Sequence, residues 1–315
     1  MLQKPLRDPN VSFAGKNVIV TGANTGLGFE AARKFVALDA SLVVLGVRSL
    51  DKGERAKLLI EQSTGSKDRI QVWPLDMNSY DSIREFADKA SSLDHLDIAV
   101  LNAGVFMVEY QRSRYGWEQT FQVNVLSTAL LALLLLPKLR ASKTDEWCPV
   151  LEFVSSRRYQ KVQLSDEQKN SPEILKSFNG PDAFKSSQQY QLSKLFITSV
   201  MQRLAALTEA SKDVTVTAVC PGFCQSDLSR GHKGILADIL RAILNALILR
   251  TTEEGARSLV SGTTIGEAAH GKLWYDDQAG DLGPLSGDAA KRFNDNIWEE
   301  IIGVLKRDYS GLPSI

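Results

Sequence analysis

The chain has 315 residues, of which 43% are hydrophobic, 37 are Lys or Arg and 37 are Asp or Glu. The length suits one large α/β domain with a sizeable core, and the formal net charge of zero gives no reason to expect a nucleic-acid partner or binding to an anionic membrane. Three cysteines without disulfide-framework spacing predict a reducing, cytoplasmic setting, and three scattered histidines predict no metal site.

Neither a signal peptide nor a transmembrane segment is expected. Residues 1–10 are polar and lack the apolar stretch of a signal peptide. The most apolar run, Ala129–Leu136, is shorter than the roughly 20 residues that cross a bilayer. Pro137 follows that run directly and is expected to end it. A buried helix is therefore the better interpretation of the run.

Short β-branched runs alternate with longer helical stretches along the chain, as in a parallel sheet covered on both faces. The predicted strands are Asn17–Thr21, Ser41–Leu45, Ile70–Trp73, Leu96–Leu101, Val150–Val154 and Val214–Val219, with Gly271–Tyr275 as a last candidate. The predicted helices are Gly26–Leu38, Lys52–Gln62, Tyr80–Ser91, Trp117–Leu136 and Gln188–Leu207. The pattern predicts a Rossmann-type, doubly wound parallel sheet in one three-layer α/β/α domain that spans residues 1–315.

Two stretches interrupt the alternation. Residues 157–187 form a largely polar insertion that contains Pro172 and Pro181, and residues 222–250 form a second excursion after the sixth strand. Long insertions at the ligand edge of a sheet are usually lids or pocket walls. The apolar part of the second, residues 235–249, predicts a substrate lid, with an amphipathic helix lying on a membrane as the alternative.

A glycine-rich loop, TGANTGLG at residues 21–28, follows the first strand and opens a helix. Gly22 permits a tight turn, Gly26 lets the backbone approach a pyrophosphate, and Gly28 allows close packing of the helix on the sheet. The helix N-terminus offers unpaired N–H groups and a positive dipole end to phosphates. The loop therefore predicts a dinucleotide site, which also includes Asn24, Thr25 and Leu27.

The end of the second strand indicates which dinucleotide is bound. Arg48 stands where an NAD site needs a carboxylate for the ribose 2′-OH, and a guanidinium at that point pairs with a 2′-phosphate. NADP(H) is therefore the predicted cofactor, although a solvated surface role is the alternative for Arg48. Further cofactor contacts are predicted after the third and fourth strands, at Asp76, Met77, Asn102, Ala103 and Gly104.

Tyr190 and Lys194 are four residues apart at the start of the helix that follows the fifth strand. Residues i and i+4 share one helix face, so the phenol and the ammonium project into the same space. A free tyrosine has a pKa near ~10, too high for proton transfer at neutral pH. A close ammonium, with a nicotinamide nearby, is expected to stabilise the phenolate and lower that pKa.

Ser156 and Asn124 are further candidate site residues. Ser156 ends the fifth strand, where its hydroxyl would donate to a substrate carbonyl and steady the alkoxide that forms. Ser155 is the alternative at this strand end. Asn124 lies in an otherwise apolar helix, and because a buried amide must be hydrogen-bonded, it is predicted to hold a water or a backbone group.

Taken together, these motifs resemble those of the classical short-chain dehydrogenase/reductase family over about residues 15–275. The matching positions are Thr21–Gly28, Asn102–Gly104, Asn124, Ser156, Tyr190, Lys194 and Pro221–Gly222. Within the family, the NTGLG loop and the VRS strand end look like the retinol-dehydrogenase-like branch. They are also similar to reductases of fungal secondary-metabolite pathways.

The resemblance implies a role for each matching position. Tyr190 would be the general acid/base, while Lys194 would lower its pKa and bind the nicotinamide ribose. Ser156 would orient the carbonyl, and Asn124 would hold the water of a proton relay behind Lys194. The turn formed by Pro221, Gly222 and Phe223 would flank the nicotinamide, and Ser226 would bind near its carboxamide.

The sequence departs from the compact family pattern after the serine. A long stretch separates Ser156 from Tyr190 and must loop out before the two can meet. In addition, Arg157, Arg158 and Tyr159 replace the small apolar residues that are usual there. These larger side chains would either narrow the pocket or recognise an acidic substrate.

The features together predict an NADP(H)-dependent oxidoreductase that transfers a hydride between nicotinamide and a ketone or secondary alcohol. The expected substrate is bulky and apolar, such as a polyketide or terpenoid secondary metabolite. Two alternatives remain: an isomerase or dehydratase that uses Tyr190 and Lys194 without net redox, and a non-catalytic NADPH-binding subunit. The sequence leaves the oligomeric state open: the helices at residues 117–136 and 188–207 would either pair two copies in a homodimer, as in many relatives, or pack on the sheet.

Overall fold

An eight-stranded sheet forms the centre of the fold. The computed structural model describes residues 3–209, 213–224 and 249–313. The strands are β1 (Asn17–Thr21), β2 (Leu42–Val47), β3 (Ile70–Pro74), β4 (Ile98–Leu101), β5 (Val150–Val154), β6 (Thr215–Val219), β7 (Leu273–Tyr275) and β8 (Gln278–Gly280). Their order is β3-β2-β1-β4-β5-β6-β7-β8, and only the last pair is antiparallel. This confirms the predicted Rossmann-type sheet.

Helices cover both faces of the sheet and make the fold three-layered. They are α1 (Gly26–Ala37), α2 (Leu50–Thr64), α3 (Tyr80–Ser91), α4 (Gln119–Ala141), α5 (Asp166–Asn170), α6 (Ile174–Ser177), α7 (Ser186–Ala206), α8 (Thr252–Ser261) and α9 (Asp288–Asp308). α1, α2 and α8 lie on one face, α3, α4 and α7 lie on the other, and α9 packs on the outside of α7.

The strands are apolar along their whole length because both faces of the sheet are covered. In β1, Val18 and Val20 pack into the core on the α1 side, whereas Ile19 between them packs into the core on the α4 side. The strand order reverses between β1 and β4. Ligands of doubly wound sheets bind at such a reversal, beyond the carboxyl ends of the strands.

Helix α4 differs from its prediction at its C-terminal end. It contains a π-helical turn, Gln122–Ser127, and continues through Pro137 to Ala141 instead of ending at the proline. The added turn buries Leu139 completely against the core, which offsets the backbone hydrogen bond that proline removes. α4 is long and apolar enough to cross a membrane, but 89% of its most apolar stretch is buried inside the protein. It therefore serves as a core helix.

The insertion at residues 157–187 is better packed than its polar composition suggests. It contains the short helices α5 and α6 and buries Tyr159, Ile174 and Leu175. The Glu300 carboxylate of α9 accepts hydrogen bonds from the Leu175 and Lys176 backbone N–H groups at 2.7 and 2.9 Å. The insertion is thus fastened to α9, an element that the strand–helix pattern does not predict.

The predicted lid lies mostly outside the described residues. Of residues 222–250, the structure describes 222–224 and 249–250, and the apolar part at 235–249 is described only at its last residue. The sequence pattern also gives no sign of α8, which begins directly after this stretch and packs against α1.

Candidate active site

The loop between β1 and α1 has the backbone geometry of a phosphate-binding turn. Gly22 and Gly26 adopt left-handed φ values of 66° and 62°, which L side chains rarely adopt. A Cβ on Gly28 would lie 2.5 Å from Asn102 Nδ2 and 2.6 Å from the Gly22 carbonyl oxygen. All three glycines are therefore required by the shape of the loop, for the reasons that the sequence indicates.

Asn102 and Ala103 hold this loop from the end of β4. Asn102 Nδ2 donates to the Thr21 carbonyl oxygen at 2.9 Å, and the Ala103 N–H donates to Thr21 Oγ1 at 2.9 Å. The amide nitrogen of Asn102 is thus used to fix the loop. The contribution of Asn102 to a nucleotide site is therefore largely to position the glycines.

A cleft of about 510 Å³ runs over the carboxyl ends of β1 to β4. The predicted cofactor residues that line it are Gly22, Asn24, Thr25, Gly26, Leu27, Arg48, Asp76, Met77, Asn102, Ala103 and Gly104. The helix N-terminus, the left-handed glycines and this shape fit the phosphates and adenosine of a dinucleotide. Gly28, the remaining cofactor candidate of this half, packs closely against Gly22 and Asn102, which line the cleft.

Arg48 and Asp76 present opposite charges at the adenosine side of the cleft. Arg48 is exposed and forms no ion pair or hydrogen bond within the described part of the chain. Asp76 Oδ1 accepts a hydrogen bond from the Asn78 N–H at 3.0 Å, which leaves its other oxygen for a ligand. Arg48 is therefore available to a phosphate group that enters the cleft.

Ser156 and Tyr190 meet at the carboxyl end of β5, although 33 residues separate them in sequence. The Ser156 hydroxyl lies close enough to the Tyr190 phenol to lower the pKa of the phenol. The neighbouring Ser155 is buried and its Oγ lies 2.6 Å from Thr198 Oγ1, eight residues after Tyr190 in α7. Of the two serines, Ser156 is the one that faces the phenol.

Burial and nearby polar groups act in opposite directions on the pKa of Tyr190. Burial removes water from the phenolate and raises the pKa of Tyr190 to about 12, against smaller lowering effects of Arg158 and Ser156. Lys194 Nζ lies 5.7 Å from the centre of the Tyr190 ring and donates to the Val154 carbonyl oxygen at 2.7 Å. Burial also lowers the pKa of Lys194 to about 8. The phenol is therefore protonated at neutral pH.

Asn124 lies in the π-helical turn of α4 and holds a backbone group. Its Oδ1 accepts from the Val105 N–H at 2.8 Å, and its Nδ2 donates to the Val105 carbonyl oxygen at 2.9 Å and to Ser193 Oγ at 3.1 Å. The amide therefore joins the loop after β4 to α7, between Tyr190 and Lys194. Of the two partners that the sequence allows, water or backbone, the side chain selects backbone.

Phe106 connects the nucleotide cleft with Ser156 and Tyr190, which we call the reactive pair. It lines the cleft, and its ring centre lies 5.2 Å from that of Tyr190. The turn at Pro221–Phe223 follows β6, with Gly222 at a φ of 84° and Phe223 53% exposed. Ser226, the last cofactor candidate, lies outside the described residues.

Comparison with known proteins identifies the family. A family model described as short chain dehydrogenase matches residues 16–146. Short-chain dehydrogenase/reductase phmF of Phaeosphaeria nodorum is 43% identical over 315 residues, covering 99% of this chain and 92% of that protein. The chain belongs to the short-chain dehydrogenase/reductase family. Short-chain dehydrogenase/reductase ffsI of Aspergillus flavipes is 42% identical, covering 96% and 89%.

Solved structures share the fold of this short-chain dehydrogenase/reductase. A protein from Mycobacterium paratuberculosis matches with a TM-score of 0.65 and 24% identity, covering 94% of this chain and 95% of that one. A short chain dehydrogenase from Burkholderia cenocepacia, solved in complex with NADP, matches with a TM-score of 0.60 and 19% identity, covering 83% and 96%. At these identities the likeness extends to the fold and not to the ligand.

Several residues of the cleft carry no motif that sequence reasoning could have used. They are Gly46, Leu75, Asn78, Val105, Phe106, Met107 and Val123. Most follow a predicted strand within a few residues, and that position is the one signal that could have found them. Phe106 is the most informative of them because its ring spans the gap between the cleft and Tyr190.

Proposed function

We propose that this short-chain dehydrogenase/reductase is a cytoplasmic, NADP(H)-dependent oxidoreductase acting on a ketone or secondary alcohol in a bulky, largely apolar substrate. A secondary metabolite of the polyketide or terpenoid type fits this description. The observation that carries the proposal is the contact between Ser156 and Tyr190 beside Phe106, at the end of a cleft shaped for a dinucleotide. The free cysteines support the reducing compartment.

The reactive pair would bind the carbonyl oxygen of the substrate and protonate it. Ser156 Oγ donates a hydrogen bond to that oxygen, and the Tyr190 phenol transfers its proton to it as the carbonyl is reduced. A bound nicotinamide would supply the hydride to the carbonyl carbon, and would accept it in the reverse direction. In reduction, the products are the secondary alcohol and a Tyr190 phenolate, which is reprotonated from solvent.

The protonation states of Tyr190 and Lys194 at neutral pH suit the donation of a proton to a carbonyl oxygen. A phenol whose pKa is raised to about 12 holds its proton at neutral pH and is ready to donate it. Lys194, with a pKa lowered to about 8, remains mostly cationic at the same pH. Its charge opposes the negative charge that develops on the Tyr190 oxygen as the proton leaves.

Asn124 would hold this geometry together. Its three hydrogen bonds tie the loop after β4 to α7 at Ser193, three residues after Tyr190. Loss of these contacts would free both the loop that lines the cleft and the helix that carries the phenol. The role proposed for Asn124 is therefore to position the site, in place of the water-holding role that the family resemblance implies.

The preference for NADP(H) is supported by Arg48 at the end of β2. It lines the cleft, it is exposed, and it has no acidic partner among the described residues. A guanidinium makes charge-assisted, bidentate contacts with phosphate oxygens. A ribose 2′-phosphate at the adenosine side of the cleft would provide that partner.

The apolar character of the substrate is supported by the side chains around the reactive pair. Phe106 and Met107 line the cleft, with the Phe106 ring against that of Tyr190, and Phe223 exposes 53% of its surface in the turn after β6. Large exposed apolar side chains that surround a few convergent polar groups are typical of small-molecule pockets.

The direct test is turnover of NADPH with a panel of polycyclic and polyketide-type ketones, followed by absorbance of the reduced nicotinamide. Tyr190→Phe keeps the ring but removes the proton donor and should lower kcat by ~100-fold or more. Tyr309→Phe, at the end of α9, is the matched control and should behave as wild type. Full turnover by Tyr190→Phe would refute the assignment. Product formation without consumption of NADPH would instead support the isomerase or dehydratase alternative.

A further inference from the structure

Arg158 is anchored at its backbone to Ser156 and at its guanidinium to Ser187 of α7. Its backbone N–H donates to Ser156 Oγ at 3.4 Å, and its Nη2 donates to Ser187 Oγ at 2.9 Å. Ser187 is three residues before Tyr190 in α7, so the two side chains lie on the same side of the helix. The guanidinium therefore lies about one helical turn from the phenol.

The two consecutive arginines after Ser156 differ in their partners. Arg157 Nη1 lies 3.2 Å from Asp276 Oδ2, and the Arg157 guanidinium stacks on the Tyr275 ring at 4.3 Å. Arg158 is half-buried and has no carboxylate within ion-pair distance in the described part of the chain. Its one side-chain hydrogen bond there is to the neutral hydroxyl of Ser187.

A half-buried guanidinium with only a neutral partner keeps donors and charge available for an anion. The Arg158 guanidinium lies near the Tyr190 phenol, to which the substrate oxygen would bind. Its positive charge lowers the pKa of Tyr190, an electrostatic effect that requires the two groups to be close. An anion bound by Arg158 would thus be held beside the reacting carbonyl.

We propose that Arg158 binds a carboxylate of the substrate, so that the physiological substrate is a keto acid, or the corresponding hydroxy acid, with an apolar body. The proposal rests on the proposed function, since it places the ketone of the same molecule at Tyr190. The fork of the guanidinium matches the two oxygens of a carboxylate. The apolar part of the substrate then lies against Phe106 and Phe223.

The test compares a matched pair of ketones, acetylnaphthoate and its methyl ester, which differ in one negative charge. Steady-state kinetics with NADPH give kcat/KM for both compounds in wild type, Arg158→Gln and the control Arg157→Gln. We expect wild type to prefer the acid, and Arg158→Gln to lose about 10- to 100-fold on the acid alone, mainly through KM. Arg157→Gln should keep the wild-type preference because its charge is already paired with Asp276.

Binding measurements keep the proposal testable even if turnover of this pair is slow. Calorimetric titration of NADPH-loaded Tyr190→Phe with the acid and the ester measures affinity without chemistry. The acid should bind more tightly, and Tyr190→Phe with Arg158→Gln should bind both compounds equally. Equal affinity for acid and ester in the single variant would overturn the proposal.

Two further outcomes separate this proposal from the function on which it depends. An equal loss of kcat on acid and ester in Arg158→Gln would show that Arg158 acts on the Tyr190 phenol rather than on the substrate, and would refute carboxylate binding. Tyr190-dependent reduction of the ester with no preference for the acid would leave the oxidoreductase function intact while refuting the role of Arg158.

Discussion

The two ends of the cleft are assembled in different ways. The phosphate end is made from loops that each follow their own strand within a few residues, as at Thr21–Gly28 and Asn102–Gly104. The reactive end combines Phe106, Asn124 and Ser156 with Tyr190 from four distant segments. The phosphate end is thus specified by local motifs, whereas the reactive end depends on how the insertion and the later helices pack.

The largest expected effect tests whether the phosphate end is as rigid as its contacts indicate. Gly28→Ala would place a Cβ within 2.6 Å of the Gly22 carbonyl oxygen and displace the loop. We expect NADPH affinity, measured by fluorescence titration, to fall by ~100-fold, because overpacking at a tight contact distorts the loop. Gly303→Ala in α9 is the control, since its Cβ would meet nothing within 4 Å. Unchanged affinity in Gly28→Ala would contradict the close packing.

The next-largest effect tests whether the phosphate end of the cleft prefers NADPH to NADH. Arg48→Ser should raise KM for NADPH by ~10- to 100-fold, because charge-assisted hydrogen bonds to one phosphate are lost. KM for NADH should be nearly unchanged, because NADH lacks that phosphate. Arg55→Ser, an exposed arginine of α2, serves as the control. Equal changes for both cofactors would show that Arg48 does not distinguish them.

A buried acid in β5, below the reactive end, should affect stability instead of binding. Glu152 is fully buried, and neither carboxylate oxygen has a hydrogen-bond partner in the described chain. Burial raises its pKa well above the ordinary value. A raised carboxyl pKa means that the unfolded chain ionises first, so the free energy of unfolding falls as pH rises above about 4.5.

Glu152→Gln removes this ionisation and should raise the free energy of unfolding at pH 8 by about 2 kcal/mol, with little change at pH 4.5. Denaturant titrations at both pH values measure the difference. Glu118→Gln is the contrasting variant, because the Glu118 carboxylate accepts hydrogen bonds from Thr120 Oγ1 at 3.0 Å and the Phe121 N–H at 3.3 Å. It should destabilise the protein. A gain for Glu152→Gln that does not depend on pH would contradict the argument.

The smallest expected effect concerns the strap, which we define as residues 3–8. The Gln3 amide exchanges two hydrogen bonds of 2.9 Å with the Phe223 backbone, and Arg250 Nη2 donates to the Lys4 carbonyl oxygen at 2.6 Å. Gln3→Ala should loosen the turn proposed to flank the nicotinamide and raise KM for NADPH by ~2- to 10-fold. Lys4→Ala keeps the backbone carbonyl and should behave as wild type. An unchanged KM in Gln3→Ala would show that the strap does not support the turn.

Sequence reasoning recovers the fold well and the reactive end less completely. Predicted strand and helix bounds agree with the structure within two residues except at the end of α4, because hydrophobic period and turn glycines are local signals. α9, which fastens the insertion through Glu300, lies beyond the strand–helix alternation and was not predicted. Arg158 stands out in sequence only as a departure from a family pattern, and only the structure shows that none of the described residues is its counter-ion.

By itself, the sequence determined the doubly wound sheet, the glycine loop and the spacing of Tyr190 and Lys194, since strand runs, left-handed turns and the i, i+4 relation depend on neighbouring residues. Only the tertiary structure decided that Ser156 rather than Ser155 faces the phenol, and that Lys194 donates to Val154. It also placed Tyr190 and Lys194 in surroundings that raise the pKa of the phenol and lower that of the ammonium. These properties follow from burial and from contacts between distant segments, which leave no local signature in the chain.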